Sequence, residues 1–162
     1  MGANDTANAD RDADGPAFQP VFENRVRFAE TDQQGIVFYG EYFTFQDEAV
    51  SAFFRAIDYG YDRMREDGWQ IHVVNTELNY RAGAEFEDVI VNELRVADIG
   101  TSSLEYEYRA KRKDDGTVLA DGTVTQVAVD TETEEPTRIP DAFRDAVAAF
   151  QGGLETDGYS SR

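Results

Sequence analysis

A change of hydrophobic period partway along the chain constrains its fold more than any other feature. Between residues 40 and 57, Tyr42, Phe45, Ala49, Phe53 and Ala56 recur at helical spacing. A second row, Phe43, Val50, Phe54 and Ile57, is interrupted by Asp47. Together the rows make the helix apolar over a wide arc, as a helix covered by a sheet should be. Asp58-Tyr59-Gly60 ends it, and a short helix over 61–66 leads to the Asp67-Gly68 turn. From there the period is two. Val74, Thr76, Leu78 and Tyr80 alternate with Asn75, Glu77, Asn79 and Arg81. Residues 89–96 are rich in β-branched side chains, and Leu104, Tyr106 and Tyr108 alternate with polar neighbours. Asp114-Asp115-Gly116 makes a hairpin turn into a last strand over 118–129. With a first strand over 22–28 and a closing helix over 140–150, begun by Pro140, the pattern predicts an α+β fold. Its strands pair antiparallel, and one long helix covers the inner face.

The chain has 162 residues, enough for one domain with a real core. Residues 1–20 and 151–162 are polar and turn-rich and read as flexible tails around a domain spanning 21–150. There is no cysteine, so a disulfide framework, a thiol nucleophile and a cysteine-ligated zinc site are excluded. No apolar run is long enough to span a membrane, and residues 1–5 lack a secretion signal, so the expected location is the cytoplasm.

Acidic residues number 33 against 15 basic ones, a formal net charge of −18. Such a chain repels nucleic acid and anionic membranes. The acids are spread along the whole length, and Lys111 and Lys113 are the only lysines. That distribution favours a protein adapted to high salt over a partner-binding acidic mimic, because molar salt shortens the Debye length to about 3 Å. Stability is expected to rise with added potassium chloride.

The candidate chemistry lies in the segment running from Val26 to Tyr39. It reads as a strand end, an acidic turn and the entry to the long helix. The turn offers Glu30 and Asp32, and Gly35 permits a sharp reversal. A helix N-terminus beyond it presents free backbone N–H groups that favour negative charge. A carboxylate beside donors that polarise a carbonyl is a minimal kit for acyl-transfer hydrolysis. An ordinary strand-to-helix loop with solvated acids fits the same spacing.

Phe28, Ala29, Glu30, Asp32, Gly35, Ile36, Val37, Phe38, Tyr39 and Tyr42 resemble the signature of the 4-hydroxybenzoyl-CoA thioesterase family of hotdog-fold proteins. The resemblance runs from about residue 21 to about residue 150. It implies a hotdog fold, a five-stranded antiparallel sheet wrapped around one long helix, and, with the acidic composition, a haloarchaeal source. It implies hydrolysis of a CoA thioester with Asp32 as nucleophile or general base. It assigns the thioester oxygen to backbone N–H groups near Tyr39, with Gly40 allowing close approach. Tol-Pal-associated relatives place His where Tyr39 stands, so its absence favours the benzoyl-type branch.

Supporting residues follow from the same resemblance. Glu30 and Asp47 are read as acids behind the loop, Asp47 sharing odds with a plain helix-edge position. Phe38 and Tyr42 are expected to line the acyl site. Thr101, Ser102 and Ser103, in the turn after Gly100, are expected near the CoA nucleotide. Arg95, Arg109 and Lys111 could supply charge there, or be solvated strand residues. His72, the only histidine, is expected to lie at the surface or to pack. No metal or other cofactor is implied. Acyl-CoA is the expected partner, with a homodimer or homotetramer as the assembly. The rival readings are a non-catalytic acyl-CoA-binding or regulatory module and a hotdog hydratase. The Asp-then-His pair of the hydratase has no match here.

Overall fold

The computed structural model describes residues 15–152. Of the expected tails, residues 1–14 and 153–162 lie outside this part. Five strands form one sheet: β1 (Gln19–Arg25), β2 (Trp69–Tyr80), β3 (Val89–Ile99), β4 (Ser103–Arg112) and β5 (Val118–Asp130). Their order is β1-β3-β4-β5-β2, with every neighbouring pair antiparallel. Among the described residues three α-helices accompany the sheet: α1 (Glu41–Ala56), α2 (Tyr61–Glu66) and α3 (Asp141–Gln151). The two shorter helices stand where the sequence reading puts them, over 61–66 and 140–150, and α1 is the longest of the three at 16 residues.

The first strand begins and ends earlier than its composition suggests. β1 stops at Arg25, and Phe28–Glu30 forms a 3-10 turn. Glu30 is the cause. Its carboxylate accepts the Arg27 backbone N–H at 2.8 Å, which rewards a tight turn over continued extension. At the other end, Gln19 and Pro20 pair with Leu94 and Glu93, so the sheet takes in residues expected to be tail.

The core lies between the inner sheet face and α1. Phe45, Ala49 and Phe53 of α1 are buried against a face that carries Leu94, Val96, Tyr106 and Tyr108. Phe53 meets Tyr106 edge-on at 5.7 Å. Each large apolar side chain so buried contributes about 1.5–3 kcal/mol. α3 adds Phe143 and Val147 and is held by Arg144, whose guanidinium donates to Ile139 O at 3.0 Å and to Gly100 O at 2.6 Å. The outer face is charged instead. Arg109 pairs with Glu93 at 2.9 Å, Arg95 with Glu107 at 2.8 Å, and the Phe18 ring covers both guanidinium groups.

β1 and β2 are the sheet edges. In β2 the alternation holds from Thr76 to Tyr80, whose partners Val124, Gly122 and Ala120 belong to the inner face. Val74 breaks it, because the register shifts between Val73 and Asn75 and leaves Val74 exposed.

Candidate active site

The acidic turn is a small hairpin set on the rim of the sheet. Thr31 bridges Val37, and the Asp32 N–H donates to Ile36 O at 2.9 Å. Gly35 closes the reversal, donating to Asp32 O at 2.9 Å, with φ at +82°, where a side chain would be strained. The second arm is pinned to the loop before β3: Val37 N–H donates to Ala84 O, and Ile36 bridges Glu85. That arm then runs directly into α1.

The two acids of the hairpin differ in kind. Glu30 is buried and spoken for. Its oxygens take the Arg27 N–H and, at 3.1 Å, the Arg27 guanidinium, whose pKa is raised by that bond. The Glu30 carbonyl also accepts the Phe38 N–H at 2.9 Å, so this residue locks the hairpin to the helix entry. Asp32 is half-buried and uses one carboxylate oxygen, Oδ1, to accept the Gln34 N–H at 2.8 Å. Among the described residues no donor is recorded for Oδ2.

Gly40 caps α1 with helical dihedrals. Glu41 N–H donates to Phe38 O, but among the described residues no acceptor takes the N–H of Tyr39 or of Gly40. These two groups, at the positive end of a 16-residue helix, can receive a carbonyl oxygen that gains charge. A β-carbon at Gly40 would sit 2.9 Å from the exposed Phe38 ring, which would have to move to admit it. Exposed rings surround the entry. Phe38 and Tyr39 pack at 4.6 Å, Tyr39 meets Tyr80 edge-on at 6.1 Å, and Phe28 meets Phe86 at 6.0 Å. A cluster of exposed aromatics of this kind marks a binding surface.

The remaining expected residues are placed as follows. Tyr42 is 3 % exposed and packs edge-on against Phe45 and Tyr80, so it supports the site from the core. Burial pushes its hydroxyl up to about 12, and no partner for that hydroxyl exists among the described residues. Asp47 lies on the exposed side of α1 with Phe43, and no bond joins it to the acidic hairpin. The polar residue of the buried stripe is Gln46. It is 2 % exposed, accepts from Thr76 Oγ1 at 2.6 Å and donates to Thr123 O at 3.4 Å. A glutamine four residues after Tyr42 and three before Ala49 was a readable signal for this.

Thr101, Ser102 and Ser103 form a turn anchored through its carbonyls. Ile139 N–H donates to Thr101 O and Ala128 N–H to Ser102 O, both at 2.8 Å. One chain does not bring this turn to Asp32. The hairpin meets residues 84–85, just before β3, and the turn follows its far end, an 11-residue strand away, or about 30–35 Å. Arg95 and Arg109 are neutralised by carboxylates on the outer face, and Lys111 lies 3.3 Å from Glu93. His72 is exposed on β2. Among the described residues no group of acids and histidines could hold a metal, and no helix is long and apolar enough to cross a membrane.

Comparison with known proteins identifies the family and the fold. Residues 26–147 match the family model of the Thioesterase-like superfamily. The acyl-CoA thioesterase YbgC of Haemophilus influenzae is 25% identical over 130 residues, 80% of this chain and 92% of that protein. The hypothetical protein TT1821 of Thermus thermophilus superposes with a TM-score of 0.72 and 31% identity, over 82% of this chain and 99% of that one. The 1,4-dihydroxy-2-naphthoyl-CoA thioesterase Slr0204 of Synechocystis has the same fold, with a TM-score of 0.72 at 16% identity over 78% and 93% of the two chains.

Proposed function

This chain belongs to the thioesterase-like hotdog superfamily and is a thioester hydrolase, and from that premise we propose that it cleaves acyl-CoA to a carboxylate and free CoA with Asp32 as the reacting carboxylate. One observation carries the proposal: a half-buried Asp32 with one oxygen uncommitted stands on a hairpin whose other arm leads to two undonated N–H groups.

The chemistry follows from those groups. The Tyr39 and Gly40 N–H groups receive the thioester oxygen and stabilise it as the carbonyl carbon becomes tetrahedral. As general base, Asp32 takes a proton from water while the water oxygen bonds to that carbon. The C–S bond then breaks, and the proton passes to the departing CoA sulfur. As nucleophile, Asp32 forms the bond itself, expels the thiolate and leaves an anhydride that water hydrolyses. Glu30 serves neither route, because both its oxygens hold Arg27.

The exposed Phe38, Tyr39, Phe43 and Tyr80 rings favour an aromatic acyl group, as does Tyr39 in place of histidine, so we place the chain on the 4-hydroxybenzoyl-type branch. The β2 edge, exposed along most of its length, calls for a second copy. A homodimer would also let the Thr101–Ser103 turn of one chain approach Asp32 of the other. The charge of −18 fits a haloarchaeal cytoplasm. Thiol release from a panel of aromatic and short aliphatic acyl-CoA esters, run in molar potassium chloride, tests the function. Release is expected for aromatic esters. Binding of CoA esters with every thioester intact would replace hydrolysis with a binding role.

A further inference from the structure

We infer that Tyr80 is a positioning residue for the thioester-oxygen site, acting through the peptide that joins Tyr39 to Gly40. The inference rests on the function proposed above.

Tyr80 ends β2, and its hydroxyl donates to the Tyr39 carbonyl oxygen at 3.0 Å. The helix holds that carbonyl only weakly, since the Tyr42 N–H approaches it at 3.4 Å. The phenol therefore supplies the better of the two bonds. No cis peptide occurs among the described residues, so the Gly40 N–H points opposite to the Tyr39 C=O. Gripping the carbonyl end aims the N–H end away from the helix, where no protein acceptor among the described residues meets it.

The grip is itself held. The Tyr80 ring packs edge-on against Tyr39 at 6.1 Å and against buried Tyr42 at 5.8 Å. The Phe38 ring packs on Tyr39 at 4.6 Å and reaches the space that a β-carbon on Gly40 would take. The peptide is thus gripped at its carbonyl and packed by neighbouring rings before any substrate arrives, which is what makes an oxyanion donor effective. Burial and the neighbouring Tyr39 raise the Tyr80 hydroxyl above its ordinary value, so it stays protonated and donating at neutral pH.

Tyr80→Phe keeps the ring and removes the hydroxyl. The expected result is a fall in kcat of about tenfold, with KM unchanged to within about twofold and the thermal midpoint preserved. Tyr80→Leu removes the ring as well and should cost more. If Tyr80→Phe matches wild type in kcat and only Tyr80→Leu is impaired, ring packing is the whole role and the inference is overturned. It is equally overturned if KM rises while kcat holds, since the hydroxyl would then be binding substrate. A wild-type protein that cleaves no thioester removes the proposed function and this inference together. An active wild type with an unaffected Tyr80→Phe removes the inference alone.

Discussion

The Asp32 carboxylate accepts the Gln34 backbone N–H at 2.8 Å through Oδ1. This bond ties the catalytic candidate to the tip of its own hairpin while leaving the second oxygen for chemistry. Asp32→Asn keeps an oxygen for Gln34 and removes the negative charge. Turnover should fall by roughly 10²–10⁴ with the fold intact. Steady-state kinetics on the best acyl-CoA, beside Glu30→Gln and Asp47→Asn, checks the assignment. A larger loss of kcat in either comparison variant would move the chemistry to that residue.

Glu30 has the opposite profile, a stability effect. Its side chain is 7% exposed and satisfies the Arg27 N–H, while the paired guanidinium is 77% exposed and screened by water. Most of its contribution is thus the backbone bond. Glu30→Ala should lower stability by about 1–2 kcal/mol. Thermal unfolding in molar salt measures it, and an unchanged midpoint would mean that the hairpin is held by Val37 and Ile36 alone.

The helices and later strands were legible because each is written in local spacing. Tyr42, Phe45, Ala49 and Phe53 declare α1 without reference to anything distant. What was not legible depended on partners far away in the chain. Phe28 looks like a strand residue, yet Glu30 curls it into a turn. Asp47 drew notice as a polar break in an apolar row, but that row emerges into solvent at Phe43 and Asp47, and Gln46 is the buried residue. The signature residues pointed to Asp32 and Tyr39. Nothing near them pointed to Tyr80, whose link to Tyr39 depends on β2 folding back beside the helix entry. The separation of the Thr101–Ser103 turn from the hairpin was hidden for the same reason, since it is the pairing of Ile36 and Val37 with residues 84–85 that sets the hairpin at the start of β3, away from the turn that follows its end.

Gly122 on β5 faces the β2 backbone with no room for a side chain. A β-carbon there would lie 1.9 Å from the Glu77 carbonyl oxygen and 2.8 Å from its carbon. Both atoms are backbone, so no side chain can swing aside. Gly122→Ala should cost about 3 kcal/mol or more, at the upper end for overpacking. It should also lower activity, because the displaced part of β2 leads to Tyr80. Denaturation midpoints and kcat on one preparation test both, and a variant as stable and active as wild type would refute the close approach.

The last prediction concerns charge. With a net charge of −18, the fold as a whole should gain stability as potassium chloride is added. Glu105 isolates the effect. Its pKa is raised by burial first, and then by Glu107, Asp98 and Glu77. A carboxyl raised in the fold binds its proton more tightly there than in the unfolded chain. Its ionisation therefore weakens the fold as pH rises through the unfolded value and up to the folded one, and the penalty persists at neutral pH. Glu105→Gln should relieve it, stabilising the protein at pH 7 and low salt by about 0.5 kcal/mol after allowance for solvent screening. The gain should vanish at a pH below the ordinary carboxylate range, where wild type is protonated too. It should shrink in molar potassium chloride, where repulsion from the three neighbouring acids is screened and only the burial part remains. Thermal midpoints of the two proteins across pH and salt decide the matter. A gain of equal size at low and high salt would assign the shift to burial alone and leave the acidic surface without a role in salt-dependent stability.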